Sequence, residues 1–312
     1  MKLIIQIPCH NEEQTLPFTI RDLPRRIDGI DVIEYLVVDD GSTDRTAEVA
    51  KAAGVQHIFR LTKRQGFARA FAACLEDSLR LGADLIVTTD GDNQYQGADV
   101  ETVVRPILEG KADLVIGDRQ IENIPHFSFV KKKLQKLGSW AVRVVSGTEV
   151  PDAAGGLRAF RRAVALRLNI FSSFSPSLET IIQAGQKNMA VLSVPIRTNP
   201  PLRESRLMRT TFQYVVRQSF TILWVFMIYK PRRFFGFLGL GPFILGLVIG
   251  VRFLYFYVTG QGQGHVQSLI LSSILLTIGF QLGLLGLLAD LIAVNRRILE
   301  DLQYRLRKDP GD

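Results

Sequence analysis

The sequence contains little cysteine and no set of side chains with the spacing of a structural metal site. Cys9 and Cys74 are the only cysteines among 312 residues, far fewer than a disulfide-rich chain contains. The four histidines do not combine with them in the pattern of a zinc site. These absences exclude a disulfide scaffold and a zinc module, and two thiols without CxxC spacing favour a reducing compartment.

The chain also lacks the composition of a disordered protein and the charge pattern of a nucleic-acid-binding one. Hydrophobic residues make up 47% of it and the net charge is only +8, which excludes intrinsic disorder. The basic residues do not form a stripe with stacking aromatics. Instead, seven of them lie between Arg203 and Arg233 with Glu204 as the only acidic residue, so we expect no nucleic-acid partner.

Long apolar runs are confined to the last third of the chain. Residues 234–257 carry one charge, Arg252, and residues 266–289 carry none. A membrane-spanning helix needs about 20 apolar residues, so we expect two antiparallel transmembrane helices at about 234–257 and 266–292. The alternative, a buried helical hairpin of a soluble core, is disfavoured because such hairpins seldom contain two uncharged bilayer lengths.

The flanking charges predict how these helices are oriented. Lys230, Arg232 and Arg233 precede the first helix, and Arg296 and Arg297 follow the second, whereas the connecting loop has no charge. The positive-inside rule therefore predicts an integral membrane protein with both termini in the cytoplasm. The expected organisation is an α/β domain at 1–203, a basic amphipathic juxtamembrane segment at 204–233, the membrane helices within 234–294 and a basic tail at 295–312.

The juxtamembrane segment allows two interpretations. Its apolar and aromatic part, residues 218–229, is too short to span a bilayer and has basic residues on both sides. This pattern fits a helix lying in the membrane interface on anionic lipid. It fits an amphipathic helix packed on the α/β domain equally well.

The N-terminal region alternates strand and helix patterns, which predicts a mainly parallel sheet with helices on both faces. The predicted strands are residues 3–8, 34–39, 57–61, 84–89 and 113–117. The predicted helices are residues 11–26, a helix capped by Ser42 or Thr43 that ends at Gly54, residues 67–81 and residues 99–108. In such sheets the ligand binds beyond the carboxyl ends of the strands.

Acidic clusters follow three of these strands, at residues 8–13, 39–44 and 90–94. Carboxylates gathered at one sheet edge repel one another unless a cation or a ligand compensates. Asp90 and Asp92, with Gln94, are oxygen ligands of the kind that Mg²⁺ or Mn²⁺ binds together with substrate phosphates. Each cluster alone is weak evidence, because a turn with a helix cap would have the same residues.

These motifs resemble the inverting family-2 glycosyltransferases with a GT-A fold, and among them the polyprenyl-phosphate, dolichyl-phosphate mannose synthase-like branch. The resemblance covers about residues 3–207, and the paired C-terminal helices match the membrane-anchored members. The motifs that carry it are Pro8-x-x-Asn11-Glu12, Val38-Asp39-Asp40-Gly41-Ser42-x-Asp44, Asp90-x-Asp92-x-Gln94, Ile116-Gly117-Asp118-Arg119, Asp152-Ala-Ala-Gly-Gly-Leu-Arg158 and Arg203-Glu-Ser-Arg206.

The resemblance implies roles for individual residues. The nucleotide sugar would be bound by Pro8, His10, Glu12, Asp39, Asp90, Gly91, Asp92, Arg203 and Arg206. The metal would be held by Asp90, Asp92 and Gln94, the catalytic residues would be Asp92 and Arg119, and the acceptor phosphate would meet Arg119, Lys131 and Lys132. One departure is Asp118, since the branch usually has serine there.

The resemblance thus predicts a GT-A catalytic domain that transfers one sugar from a nucleotide sugar to a polyprenyl monophosphate. A phosphate acceptor is already an anion, so it needs no general base. The alternatives are a neutral lipid or growing glycan as acceptor, a nucleotidyltransferase, whose glycine-rich, lysine-bearing loop is missing, and a noncatalytic nucleotide-binding subunit. The sequence is also compatible with a homo-oligomer.

Overall fold

The computed structural model describes residues 1–123, 129–170, 176–200, 226–260 and 262–308, and in addition residues 216, 220, 223 and 224. The chain divides into two compact units, residues 1–219 with 303–312, and residues 220–302. Most of the juxtamembrane segment lies outside the described residues, so both interpretations of it stay open. The predicted domain boundaries likewise remain predictions.

The first unit contains a seven-stranded sheet in which one strand runs against the others. The strands are β1 (Lys2–Cys9), β2 (Val32–Asp39), β3 (His57–Arg60), β4 (Leu85–Thr88), β5 (Leu114–Asp118), β6 (Arg158–Arg161) and β7 (Val191–Pro195). Their order is β3-β2-β1-β4-β6-β5-β7, and β6 is antiparallel to both of its neighbours. The prediction of a mainly parallel α/β sheet is confirmed, and β1, β2, β4 and β5 all end at the same edge.

The strands form because they are short apolar runs that the sheet buries on both faces. Leu3, Ile5 and Ile7 on β1 are fully buried, and each such side chain contributes about 1.5–3 kcal/mol on leaving water. The one polar residue in this run, Gln6, donates from Nε2 to Thr88 Oγ1 at 2.7 Å. A satisfied hydrogen bond lets a polar side chain sit in the core.

Seven α-helices belong to the described part of the first unit. They are α1 (Leu16–Asp22), α2 (Thr46–Ala52), α3 (Phe67–Arg80), α4 (Asp99–Leu108), α5 (Phe129–Ser146), α6 (Arg162–Arg167) and α7 (Pro176–Gln186). The predictions for α3 and α4 agree with these bounds to within one residue. Those for the first two helices were wrong at their ends.

Local backbone constraints explain both errors. Helix α1 is much shorter than residues 11–26, because Asn11 has φ +56° and Leu23, which precedes a proline, is extended. Helix α2 starts at Thr46 and not directly after Ser42 or Thr43. Those two residues instead bond to the loop after β1, as described below.

The second unit consists mainly of two long helices, α8 (Pro231–Val258) and α9 (Val266–Lys308), joined by a short 3-10 helix at Gly262–His265. By length and composition, α8 and residues 266–302 of α9 could each cross a membrane. Helix α9 is longer than predicted, since it continues through most of the predicted tail to Lys308. Its final residues, from 303 onward, belong to the first unit.

Small residues let α8 and α9 approach each other closely. A Cβ added at Gly279 would lie 2.8 Å from the carbonyl oxygen of Gly239 and 2.6 Å from Phe243 Cβ. Further along, Ser272 Oγ donates to the carbonyl oxygen of Gly246 at 2.7 Å. Glycine and serine at such positions are typical of helix pairs that pack backbone to backbone in membranes.

This packing generates a prediction with a matched control in the same helix. Gly279→Leu should separate α8 from α9 and lower the thermal unfolding midpoint of the detergent-solubilised protein. Gly283→Leu should leave it nearly unchanged, because a Cβ there meets nothing within 4 Å. Equal midpoints for the two variants would contradict the packing described here.

Candidate active site

The loops that follow β1 and β2 are bonded to each other. The Asn11 amide donates to Ser42 Oγ at 2.9 Å, and the Thr43 amide donates back to Asn11 Oδ1 at 2.9 Å. The Glu12 amide donates to Thr46 Oγ1 at 2.8 Å. The left-handed backbone at Asn11, which asparagine tolerates better than most residues, directs the chain so that these hydrogen bonds can form. Hydrogen bonds therefore hold together the two loops that carry the first two acidic motifs.

Asp40 bonds a third loop, the one that leads into α3, to the loop after β2. Its carboxylate accepts hydrogen bonds from the amides of Gln65 and Gly66, at 2.6 and 2.8 Å, at the start of α3. Gly41 has φ +63°, and a Cβ there would lie 2.5 Å from the Arg64 amide nitrogen. The glycine of this motif is thus needed for both its backbone conformation and its close approach. His10 Nδ1 lies 2.9 Å from the Asp40 carbonyl oxygen.

Asp39, the last residue of β2, is a buried acidic residue next to these joined loops. Its Oδ1 accepts a hydrogen bond from the Ser42 amide at 2.9 Å, and Arg60 Nε approaches its Oδ2 to 3.3 Å. No described residue donates a hydrogen bond to Oδ2, although the side chain is only 1% exposed. Its charged partner is the Arg60 guanidinium, and among the described residues its capacity to accept a hydrogen bond is unused. This oxygen is therefore suited to accept a hydrogen bond from a bound ligand.

The third acidic motif follows β4. Burial and, after it, the negative charge of Asp92 raise the pKa of Asp90 from its ordinary value to about 7. Asp92 Oδ1 accepts a hydrogen bond from the Gln94 amide at 3.2 Å, and the role predicted for the Gln94 side chain stays a prediction. Two crowded carboxylates of this kind are the arrangement that a divalent cation relieves.

The donor set fits a cation that completes its coordination with substrate. Among the described residues, no group of three or more His, Cys, Asp or Glu side chains could hold a metal ion by itself. Magnesium is commonly bound by one or two carboxylates, with the remaining ligands supplied by water and substrate phosphates. Asp90 and Asp92 match that pattern and do not match a preformed protein cage.

The carboxylate of Asp90 is packed against the loop that leads into β6. The Gly156 amide donates to the Tyr95 hydroxyl at 2.7 Å. A Cβ at Gly156 would lie 2.5 Å from Asp90 Oδ2 and 3.0 Å from the Tyr95 oxygen. On the other side, a Cβ at Gly91 would lie 3.0 Å from Cys9 Sγ and 3.4 Å from Glu12 Cγ. Glycines thus bring the motifs after β1 and β4 together.

A buried ion pair holds Arg119 next to these carboxylates. Arg119 donates from Nε and Nη2 to the two carboxylate oxygens of Asp152, at 2.6 and 2.9 Å. Arg158 is buried beside them, where burial lowers the pKa of its guanidinium to about 10. The charges of Arg119 and Arg158 act to lower the pKa of Asp90, so both lie within its electrostatic reach.

The structure brings together only part of the predicted site. Glu12, Asp90, Gly91, Asp92 and Arg119 are neighbours or interact electrostatically. Lys132 Nζ donates to the Glu122 carbonyl oxygen at 2.8 Å, so it is engaged near the start of α5. Pro8 lies on β1 beside Val38. His10, Asp39 and Gln94 are in the places described above, and three predicted residues lie outside what the structure describes: Arg203 and Arg206 entirely, and Lys131 in its side chain.

Sequence reasoning assigned no role to four residues that shape the site: Tyr95, Asp152, Gly156 and Arg158. Three of them belong to the Asp152-Ala-Ala-Gly-Gly-Leu-Arg158 motif that supports the family resemblance, so a signal for them exists. Tyr95 directly follows Gln94 and carries no such signal.

The fold and this arrangement of acidic strand ends define a nucleotide-sugar transferase of the GT-A type. The family model for glycosyl transferase family 2 matches residues 4–168, and the chain belongs to this family. It is 26% identical over 309 residues to the dodecaprenyl-phosphate galacturonate synthase of Rhizobium johnstonii, covering 94% of this chain and 88% of that one. It is 27% identical over 206 residues to the undecaprenyl-phosphate mannosyltransferase of Micrococcus luteus, covering 63% and 83%.

Solved structures share the fold. Glucosyl-3-phosphoglycerate synthase of Mycobacterium tuberculosis, crystallised with Mn²⁺, uridine diphosphate and phosphoglyceric acid, superposes with a TM-score of 0.54 at 19% identity. The match covers 72% of this chain and 77% of that one. The expected GT-A fold is therefore confirmed.

The crowding of Asp90 and Asp92 predicts a pH-dependent stability. Because the pKa of Asp90 is raised from 3.8 to about 7 in the folded protein, the metal-free protein loses stability as the pH rises between these values. Asp92→Asn should raise the thermal unfolding midpoint of the metal-free protein at pH 8. The rise should be roughly 2–4 °C if removing the repulsion increases the free energy of unfolding by about 1 kcal/mol. At pH 5, where Asp90 is protonated, the gain should nearly vanish.

Calorimetry at the two pH values, with the exposed Asp28→Asn as a control for loss of one surface charge, measures this difference. A gain of equal size at pH 5 and pH 8 would show that Asp92 does not act on Asp90 through its charge.

The close approach of Gly156 generates a second prediction. Gly156→Ala forces Asp90 to move without removing any carboxylate, so it should weaken metal-dependent binding of uridine or guanosine diphosphate by about 10–100-fold. Titration calorimetry with Mn²⁺ present measures this. The neighbouring Ala154 is exposed, and Ala154→Val should bind like the unaltered protein. Unchanged affinity in Gly156→Ala would remove Gly156 and Asp90 from the binding site.

Proposed function

We propose that this protein is a membrane-anchored, metal-dependent glycosyltransferase that moves one sugar from a nucleotide sugar to a polyprenyl monophosphate. The observation that carries the proposal is the pair Asp90 and Asp92 at the end of β4, together with Asp39 at the end of β2, whose buried Oδ2 accepts no hydrogen bond from a described residue. Two relatives named for prenyl-phosphate sugar transfer support the choice of acceptor.

In the donor site, the oxygen of Asp39 would accept a hydrogen bond from the nucleotide base, with Pro8, His10 and Glu12 bordering the nucleotide. Asp90 and Asp92 would hold Mg²⁺ or Mn²⁺, with Gln94 as a further ligand. When bound, the cation neutralises the negative charge that develops on the leaving diphosphate.

The transfer would be a single displacement at the anomeric carbon. An oxygen of the acceptor phosphate forms the new bond while the bond from this carbon to the diphosphate oxygen breaks, so the configuration inverts and a nucleoside diphosphate leaves. The attacking oxygen is already anionic, so no side chain has to remove a proton. Arg119, fixed by Asp152, would contribute positive charge close to the reacting phosphates.

The acceptor would reach this site from the membrane. A polyprenyl chain is held in the bilayer, and α8 and α9 are the candidate spans of this chain. Basic residues flank both helices and are missing from their connection, which favours the cytoplasmic leaflet for the catalytic domain and for both termini. Lys131, Lys132, Arg203 and Arg206 would then be the basic side chains that meet acceptor or donor phosphate.

An activity assay tests this proposal. Purified protein in lipid nanodiscs with undecaprenyl or dolichyl phosphate, Mn²⁺ and a panel of nucleotide sugars should form an anionic glycolipid of inverted anomeric configuration. Asp92→Ala should reduce the rate by at least about 100-fold, since it removes charge stabilisation at the leaving group. The exposed Asp28→Ala is the control and should be as active as the unaltered protein.

The outcome separates the alternatives. A neutral product that resists phosphatase would indicate a neutral lipid or glycan acceptor. Metal-dependent binding of a nucleoside diphosphate without turnover of any donor would indicate a noncatalytic nucleotide-binding subunit. Full activity of Asp92→Ala would refute the proposed metal site.

A further inference from the structure

The segment that follows β7, residues 196–200, is paired with the loop that follows β4. We call this loop, residues 90–96, the metal loop. None of the helices and strands of the described structure includes it, so its backbone depends on contacts from other parts of the chain. Tyr95 and Thr198 form an isolated antiparallel bridge, which places the two segments side by side.

Asn199 makes most of the hydrogen bonds between these segments. Its backbone amide donates to the Gln94 carbonyl oxygen at 2.8 Å. Its side-chain Nδ2 donates to the carbonyl oxygens of Asn93 and Tyr95, at 3.0 and 3.3 Å. The two protons of a side-chain amide allow it to donate to two acceptors at once. Asn199 thus supplies the donors that a helix or a sheet would otherwise supply to residues 93–95.

The metal loop needs such support because its backbone is strained next to the predicted ligands. Asn93 has φ +57°, a left-handed conformation that costs a non-glycine residue about 1–2 kcal/mol. The turn around Asn93 brings the Gln94 amide to Asp92 Oδ1, at 3.2 Å. A conformation of this kind persists only where surrounding contacts impose it. The hydrogen bond from Asn199 to the Asn93 carbonyl oxygen is one of those contacts.

Other residues hold the segment after β7 in place independently of the Asn199 side chain. The Ile196 amide donates to the Asp118 carbonyl oxygen at 2.9 Å. Arg197 donates to the carboxylate of Asp99, the first residue of α4, from its backbone amide at 2.6 Å and from Nη2 at 2.7 Å. Removing the Asn199 side chain therefore removes support from the metal loop without releasing the whole segment.

We propose that Asn199 is a positioning residue of the metal site. It acts through the backbone of residues 93–95, which keeps the Asp92 carboxylate and the Gln94 side chain where they bind the cation. The proposal deepens the proposed function and rests on it, because that function assigns the cation to this loop. Residues that orient metal ligands typically change metal affinity by about 10–100-fold when they are replaced.

Hydrogen–deuterium exchange of the metal-free, full-length protein tests the contact itself. Asn199→Leu keeps a side chain of similar size that donates no hydrogen bond, and Asn199→Ala removes the donor without adding apolar bulk. Both variants should exchange backbone amides several-fold faster than the unaltered protein in residues 90–96, and at the same rate in β1. Unchanged exchange in residues 90–96 would overturn the proposal.

Manganese binding tests the consequence for the site. In the presence of uridine or guanosine diphosphate, Asn199→Leu should weaken Mn²⁺ binding by about 10-fold, as measured by electron paramagnetic resonance. Excess Mn²⁺ should restore its rate of sugar transfer, because the ligands themselves are intact. A loss of rate that excess Mn²⁺ does not restore would show that Asn199 supports the fold in general and not the metal site.

A matched control lies two residues away on the same segment. Arg197→Gln removes the ion pair with Asp99 and leaves the hydrogen bonds between Asn199 and the metal loop. It should lower the thermal unfolding midpoint without changing the affinity for Mn²⁺. Equal weakening of Mn²⁺ binding in Arg197→Gln and Asn199→Leu would overturn the specific role of Asn199.

These readouts separate this proposal from the proposed function. If the unaltered protein binds no Mn²⁺ with a nucleoside diphosphate, while Asn199→Leu still speeds exchange in the metal loop, the proposed metal site is refuted and the support from Asn199 stands as a contact of the fold. Equal Mn²⁺ affinity in the unaltered protein and in Asn199→Leu would refute the role of Asn199 alone.

Discussion

Electrostatic repulsion among carboxylates at one sheet edge is the interaction on which the rest of the site depends. The parallel strands β1, β2 and β4 end together and bring Glu12, Asp39, Asp90 and Asp92 to this edge. Burial and the charge of Asp92 raise the pKa of Asp90 to about 7. Such an arrangement lowers the stability of the ligand-free protein, and under the proposed function it would become favourable with a cation and its diphosphate bound.

The surrounding framework keeps the carboxylates in place despite this repulsion. The hydrogen bonds of Asn11 join the loops after β1 and β2. The close approach at Gly156 packs the loop before β6 against Asp90. The buried pair of Arg119 and Asp152 holds a guanidinium beside them. Removing one partner of such a pair is typically destabilising by about 3–5 kcal/mol, because the other charge is left buried and unpaired.

The sequence predicts the parallel core well and its later elements poorly. Strands β1 to β5 are short apolar runs whose burial can be anticipated, and their ends locate Asp39, Asp90 and Asp92. Helices α1 and α2 are misplaced at their ends because Asn11, Ser42 and Thr43 bond across loops. Strands β6 and β7 and helices α5 to α7 were not predicted, and Gly156 was given no role because its contact with Tyr95 spans some sixty residues. Such contacts depend on the tertiary fold, which no local pattern encodes.

The central claim is that Asp90 and Asp92 hold a divalent cation together with the donor diphosphate. Electron paramagnetic resonance of Mn²⁺, with uridine or guanosine diphosphate labelled with ¹⁷O on its phosphates, tests it most directly. The account predicts one Mn²⁺ bound per chain when the nucleotide is present, with lines broadened by the labelled oxygens. An absence of broadening, or identical Mn²⁺ binding in Asp90→Asn/Asp92→Asn, would contradict it.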